Sequence, residues 1–360
     1  MARGVTTLRL LADDLTGALD SAARFVPLVG TVPTFWVVPP ALPATAAIDG
    51  GTREIERAAL GSAMASLAPL LDGADIAFKK IDSLLRGRVV AELNELADRF
   101  DWCILAPAFP FQGRITRQGR QLVRTDAGWR DVGVDLTDGL LGWGDRLMIC
   151  DAETDADLDT IVARGRALRG RVLWCGTGGL AGALAGRRPV PCPDLPRPIL
   201  ALIGSDHPVS VAQVAAVPGV HHVLHHLSHH ASHPVSHHVL PKPPSGSSAA
   251  IARSLAEGAA VATVAVSSGA SRGLALGVIT AAFIDLLQSI KPPGTLMVSG
   301  GETLRALCSG LAASRLDVDG EIEPGVPTSV LRGGAFDGLR TVSKSGAFGG
   351  VGFLGGMLGR

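Results

Sequence analysis

The chain has 360 residues, enough for two domains of ordinary size, each with its own core. Lysine plus arginine and aspartate plus glutamate balance at 33 each, which argues against a nucleic-acid or anionic-membrane surface as the main partner. The five cysteines, Cys103, Cys150, Cys175, Cys192 and Cys308, form no C-x-x-C pair, so the sequence suggests reduced thiols in the cytoplasm rather than a disulfide framework.

In chain order, "MARGVTTLRLLADD" reaches acidic residues too soon to read as a signal peptide. Within it "TTLRLLA" reads as a strand, and "LTGALDSAARF" as the helix that follows. The run from Phe25 to Ile48 is free of charge but holds five prolines, which argues against an uninterrupted membrane-spanning helix. A soluble cytoplasmic protein with no membrane partner is expected. "ADIAFKK" is a second strand, and a helix is expected through "VVAELNELADRF", where Val90, Leu93, Leu96 and Ala97 recur at helical spacing. "DWCILAPAF" and "RVLWCG" add two strands. The proline-rich "RRPVPCPDLPRP" (187–198) reads as a linker, and "ILALIGS", "VATVAVSSG" and "TLMVSGG" follow as apolar strands ending in small polar residues. The pattern predicts an α/β protein of two domains, 1–195 and 196–360, each with a mainly parallel sheet flanked by helices.

The polar clusters "ADD", "KKIDS", "APAF", "GSDHP", "SSGAS" and "SGGET" each follow an apolar strand, where parallel sheets bind ligands. Adjacent carboxylates Asp13 and Asp14 at a strand end suit general-base work, hydroxyl recognition or metal binding; alternatively one of them caps the helix. In "KKIDSLLRG", Asp82 or Ser83 can cap a following helix. Arg86 is out of place in a first helical turn unless an anion sits there, and with Lys80 it can hold a carboxylate. Gln112, Gly113 and Arg114 in "APAFPFQGRIT" can read hydroxyls and a carboxylate. Gly300 and Gly301 before Glu302 aim backbone N–H groups at an anion, commonly phosphate. No G-x-x-x-x-G-K-[ST] loop occurs: "GLRTVSKSG" has Ser343 where the second glycine belongs, although Lys344 is available as phosphate charge. "WCGTGGLAGALAG" departs from G-x-G-x-x-G and reads as a tight strand-to-helix turn. All ten histidines lie from His207 to His238, nine of them in 221–238, a tract suited to adventitious Zn²⁺ or Ni²⁺ rather than a catalytic metal centre.

In order, "ADDLTGALD", "AIDGGTRE", "KKIDSLLRG", "APAFPFQGRIT", "GTGGLAGALA", "GSDHPVSVAQ", "SGGETLRAL", "EPGVPTSVLRGGAFDGL" and "KSGAFG" resemble the four-carbon acid sugar kinase family across nearly the whole chain. The resemblance implies a sugar-acid-binding N-terminal domain, a nucleotide-binding C-terminal domain, an active site in the cleft between them, and ATP with Mg²⁺. It places Asp13, Asp14, Arg53, Lys80, Asp82, Ser83, Arg86, Gln112, Gly113 and Arg114 on the acid side, and Ser205, Gly300, Gly301, Glu302, Thr303 and Gly346 on the nucleotide side. Asp14 is the expected base for the acceptor hydroxyl, with Asp13 the alternative and Arg86 beside them. Leu84 departs from the family's usual threonine, and the segment after "RQGRQLV" is abbreviated. The partner implied is a small sugar acid; a homo-oligomer is left open.

Overall fold

The computed structural model describes residues 6–140, 142–225, 245–267 and 269–359. They form an α/β protein of two compact units: residues up to Cys192 with Leu316–Pro327, and Pro193–Arg315 with Thr328 onward.

In the first unit the chain runs β1 (Leu8–Ala12), α1 (Leu15–Val29), β2 (Val32–Phe35), β3 (Ala46–Asp49), α2 (Arg57–Leu67), β4 (Ile76–Lys80), α3 (Val89–Asn94) and β5 (Trp102–Ala106). An antiparallel trio follows, β6 (Arg114–Arg117), β7 (Arg120–Thr125) and β8 (Gly128–Asp135). β9 (Leu147–Ile149), α4 (Asp155–Arg166), β10 (Val172–Gly176) and α5 (Gly178–Leu184) complete it. The main sheet has the order β2-β3-β1-β4-β10-β5-β9, parallel throughout, and Leu316, Asp317 and Val318 pair antiparallel with the outer edge of β2. Helix α1 begins cleanly because Asp14 caps it, its Oδ1 accepting from Gly17 N at 2.8 Å. On one face of the sheet Phe25 of α1 meets Phe78 edge-on at 5.4 Å. On the other, Leu60, Met64 and Leu93 close over Leu11, Ile48 and Leu105.

The second unit runs β11 (Ile199–Ile203), α6 (Pro208–Ala215), β12 (His221–His225), α7 (Ser245–Ala256), β13 (Ala259–Ala265), α8 (Arg272–Ser289), β14 (Thr295–Ser299), α9 (Gly301–Gly310), β16 (Val326–Arg332) from Thr328 on, β17 (Arg340–Lys344) and α10 (Phe353–Leu358); β15 (Arg315–Glu323), between α9 and β16 in the chain, belongs from Leu316 on to the first unit. Within the first unit, β15 carries the residues that pair with β2. The order β12-β13-β11-β14-β17 is parallel, and β16 adds to β17 antiparallel. β11 (ILALI) and β14 (TLMVS) are wholly buried, which accounts for the apolar run at the centre of each.

Two local expectations change. The helix expected through "VVAELNELADRF" stops at Asn94, and Leu96 and Ala97 are buried on a separate short turn. The run from Phe25 to Ile48 contains the end of α1 and the short strands β2 and β3. α8 is the one helix, among the described residues, long and apolar enough to cross a membrane by length and composition, with 22% of it buried.

Candidate functional site

Strand alternation gives the two lysines that end β4 opposite surroundings. Lys79 Nζ lies 2.5 Å from Glu92 of α3, and both side chains are fully buried. Lys80 turns toward α1: its Nζ donates to Ile81 O at 2.9 Å and lies 3.0 Å from where a β-carbon on Gly17 would stand.

β3 lies parallel to β1 with Asp49 opposite Ala12, so the loops leaving both strands meet. Arg53 therefore reaches the aspartate pair. Its Nε and Nη2 donate to Asp13 at 2.9 and 3.0 Å, its Nη1 donates to Asp14 Oδ2, and Nη2 is 3.7 Å from Asp82. Asp82 does not cap a helix, since α3 starts seven residues later without a side-chain cap. Instead its Oδ2 accepts from the N–H groups of Leu84 and Arg86 at 3.1 and 3.2 Å and from Arg86 Nε at 2.9 Å, while Oδ1 accepts from Arg86 Nη2 at 2.7 Å. The "IDSLLRG" stretch is thus a carboxylate-centred turn that presents Arg86, 64% exposed, from a buried anchor.

Burial pushes the Asp14 carboxyl above its ordinary range; Arg53 opposes this and Asp13 adds to it. Burial would raise Asp82 too, but the Arg86 hydrogen bond and the charges of Arg53, Arg86 and Lys80 hold it below the usual carboxylate range. Asp14 is 26% exposed where Asp13 is 3% exposed and gripped by two guanidinium nitrogens. Of the pair, Asp14 is the more accessible carboxylate.

Gln112, Gly113 and Arg114 form the turn before β6. Arg114 Nη1 donates to Gln112 Oε1 at 3.2 Å, and Arg114 is close enough to feel the charges of Asp82 and Arg86. Its Nε is buried without a partner. Ser83 joins through its backbone, its carbonyl accepting from Gln121 Nε2 at 2.9 Å. The structure therefore brings Asp13, Asp14, Arg53, Asp82, Arg86 and Arg114 into one charged network, with Lys80 beneath Asp14. Asp20, not singled out from sequence, belongs with them: it is buried, its Oδ1 has no partner, and Lys80 and Asp14 both act on its charge.

In the second unit the glycine turns converge. A β-carbon on Gly204 would stand 2.2 Å from Thr303 Oγ1, and one on Gly346 would stand 2.0 Å from Ser205 Oγ. Gly300 N donates to Lys344 O at 2.9 Å and Gly204 N to Ser299 O at 3.0 Å, which ties the ends of β11, β14 and β17 together. α9 starts at Gly301 with no side chain capping its first turn, and Glu302 of that turn pairs with Arg272 at 2.8 Å. Ser205, Gly300, Gly301, Thr303 and Gly346 thus form a cradle of backbone with the character of a phosphate site. Gly204 carries the same signal as Gly300, a glycine directly after an apolar strand. Lys344, expected as phosphate charge, turns its ammonium inward onto loop carbonyls. A cavity of about 280 Å³ lined by Pro292, Phe336 and Asp337 lies at the opposite ends of β14 and β17 and is unrelated to the cradle.

Of the histidine tract, residues 226–238 lie outside the described residues. His221 and His222 on β12 hydrogen-bond Thr263 and Ser254 at 2.9 and 2.8 Å.

Comparison with known proteins identifies the class. Residues 8–134 match a sugar-binding N-terminal domain and residues 200–354 a nucleotide-binding C-terminal domain. The chain is 30% identical to a D-threonate kinase of Cupriavidus necator, covering 76% of each chain, and 27% identical to a D-threonate kinase of Bordetella bronchiseptica, covering 94% of each. The chain belongs to the four-carbon acid sugar kinase family. Its fold is shared by solved structures of a Haemophilus influenzae protein (TM-score 0.67, 16% identity, 98% of this chain and 99% of that one) and a Salmonella typhimurium protein (TM-score 0.69, 20% identity, 98% of each).

Proposed function

We propose that the protein is an ATP-dependent kinase that phosphorylates the 4-hydroxyl of a four-carbon sugar acid such as threonate, erythronate or 3-oxo-tetronate. The observation that carries this reading is Asp14: a half-buried, raised-pKa carboxylate inside a network of guanidinium groups, in a relative of D-threonate kinases. Residues 1–195 take the acid and residues 196–360 the nucleotide. Arg86, exposed on its Asp82 anchor, and Lys80 hold the substrate carboxylate; Gln112 and Arg114 read its hydroxyls. Arg53 holds Asp13 and Asp14 in register, and Asp14 accepts the proton of the attacking hydroxyl. Phosphoryl transfer asks the protein for alignment and charge neutralisation more than for covalent chemistry.

The turns of Ser205, Gly300, Gly301, Thr303 and Gly346 are assigned to a nucleotide's phosphates, since their glycines let the ends of β11, β14 and β17 approach closely, a β-carbon on Gly346 standing 2.0 Å from Ser205 Oγ, and leave backbone N–H groups to meet an anion. Mg²⁺ is assigned to the triphosphate, as the family resemblance implies. When bound there it neutralises charge on the transferring group.

The test is ADP release with a panel of C4 acids, run on wild type and Asp14→Asn. Wild type is expected to turn over at least one acid. Asp14→Asn is expected to lose acid-dependent ADP formation by roughly 10²-fold or more while keeping its ATP affinity. Wild-type turnover by the variant would remove Asp14 from the mechanism. ATP binding without turnover of any acid would instead establish an inactive or reassigned member of the family.

A further inference from the structure

Lys344 ends β17, and its side chain is 1% exposed. Its ammonium lies 3.1 Å from the carbonyl oxygens of Ser345 and Phe348, 3.5 Å from that of Gly346 and 3.4 Å from the Ser210 hydroxyl. Ser210 Oγ also donates to Gly346 O at 2.9 Å. Gln213 Nε2 contacts the carbonyls of Phe348, Gly349 and Gly350 at 3.1, 3.1 and 2.9 Å. Ser210 and Gln213 are as deeply buried as the lysine. The carbonyls of Ser345, Gly346, Phe348, Gly349 and Gly350 therefore all point into the protein. Oxygen dipoles gathered in this way repel one another unless a positive charge sits among them. Backbone carbonyls plus a hydroxyl around a cation are the ligand set of a monovalent metal ion. Here an ammonium on a tether fills that place.

The inward carbonyls have a consequence on the other side of the loop. Across a trans peptide, the C=O of one residue and the N–H of the next point in opposite directions. The N–H groups of Gly346, Ala347, Gly349, Gly350 and Val351 are thus turned away from Lys344. Among the described residues none of them donates to a protein acceptor. Gly346 abuts Ser205, whose N–H lies beside Gly300, so this loop belongs to the glycine cradle.

We propose that Lys344 is a built-in monovalent cation: a positioning residue that holds the 345–350 loop with its N–H groups presented to the nucleotide's phosphates, without touching them itself. The proposal rests on the nucleotide reading given above and assigns Gln213 and Ser210 the same supporting task.

The experiment is ADP and ATP binding by calorimetry in tetramethylammonium buffer at constant ionic strength, with K⁺, NH₄⁺, methylammonium or Na⁺ substituted in turn. Wild type is expected to bind equally in all. Lys344→Ala is expected to bind ~10–100-fold more weakly in tetramethylammonium, the loss of charge-assisted contacts, and to recover most of that loss in K⁺, NH₄⁺ or methylammonium. Gln213→Met is expected to weaken binding with no recovery, since the group it lacks is neutral. Lys344→Ala binding like wild type, or staying weak in every cation while folded by circular dichroism, overturns the proposal. Should that variant not fold, wild type decides by hydrogen exchange: ADP must slow exchange at Ala347, Gly349 and Gly350, and unchanged exchange overturns the proposal. A wild type that binds neither nucleotide overturns the nucleotide reading itself, a result distinct from a cation-insensitive variant.

Discussion

Arg24 of α1 and Glu321 of β15 form an ion pair at 3.0 Å, with Glu321 7% exposed. Burial raises the Glu321 carboxyl from its ordinary 4.5 to about 7, with Arg24 opposing the shift and Asp20 adding to it. A carboxylate raised in the folded state costs stability as it ionises. Below pH 4.5 folded and unfolded chains both hold the proton and the cost is absent. It grows as pH rises from 4.5 toward 7, where it reaches roughly 3 kcal/mol at about 1.4 kcal/mol per pH unit. Asp82 acts in another window. Its folded pKa is depressed, so its contribution is present above its unfolded pKa of 3.8 and is lost as pH falls below that. Urea unfolding at pH 5 and pH 8 brackets the Glu321 window, which the raised carboxyls of Asp14 and Asp20 share: Glu321→Gln should remove the Glu321 part of the wild-type decline over that interval. An unchanged decline in the variant would assign it to other groups.

At the scale of elements, the packing of α9 against the end of β11 depends on the missing side chain at position 204. A methyl there would stand 2.2 Å from Thr303 Oγ1 and 2.9 Å from its β-carbon, and Thr303 is itself buried. Gly204→Ala must push the first turn of α9 away from β11. The expected cost is about 1–3 kcal/mol of stability, with KM for ATP raised and KM for the acid unchanged; equal effects on both constants would contradict the assignment. Glycines after apolar strands were legible in the sequence, as were β1, β4, β11 and β14, because unbroken apolar runs end in polar residues only where a buried strand reaches the surface. Asp13 and Asp14 were legible for the same reason. Arg53 entered only through family resemblance, since its contact with them depends on β3 lying beside β1. β2 and β3 left no signal among the prolines of 25–48. The missing helix start after Ser83 was hidden because Asp82 bonds both to backbone N–H groups and to Arg86, a choice that sequence periodicity does not reveal. A lysine beside glycines looks the same in sequence whether its charge faces a ligand or, as at Lys344, a ring of carbonyls.

At the scale of the whole chain, the boundary of the first unit is not a single cut. Residues 316–327 lie more than a hundred positions beyond the linker, yet they complete that unit. Leu316 and Val318 are fully buried, and with Asp317 they pair with Thr34, Val32 and Pro33 along β2. Without them β2 becomes an exposed edge, which invites pairing with another chain, and Arg24 loses Glu321. Burial of a side chain such as Leu or Val contributes roughly 1.5–3 kcal/mol, so the absent pair removes several kcal/mol from a stability that totals only about 5–15 kcal/mol. A fragment ending at residue 195 is therefore expected to unfold well below the intact chain or to self-associate. The same fragment with residues 313–327 joined through a flexible linker is expected to recover a cooperative, monomeric transition. Thermal unfolding and size-exclusion chromatography of both fragments decide between them. If the shorter one is monomeric and melts with the longer one, the returning strand contributes nothing to the first unit, which is then a continuous N-terminal domain.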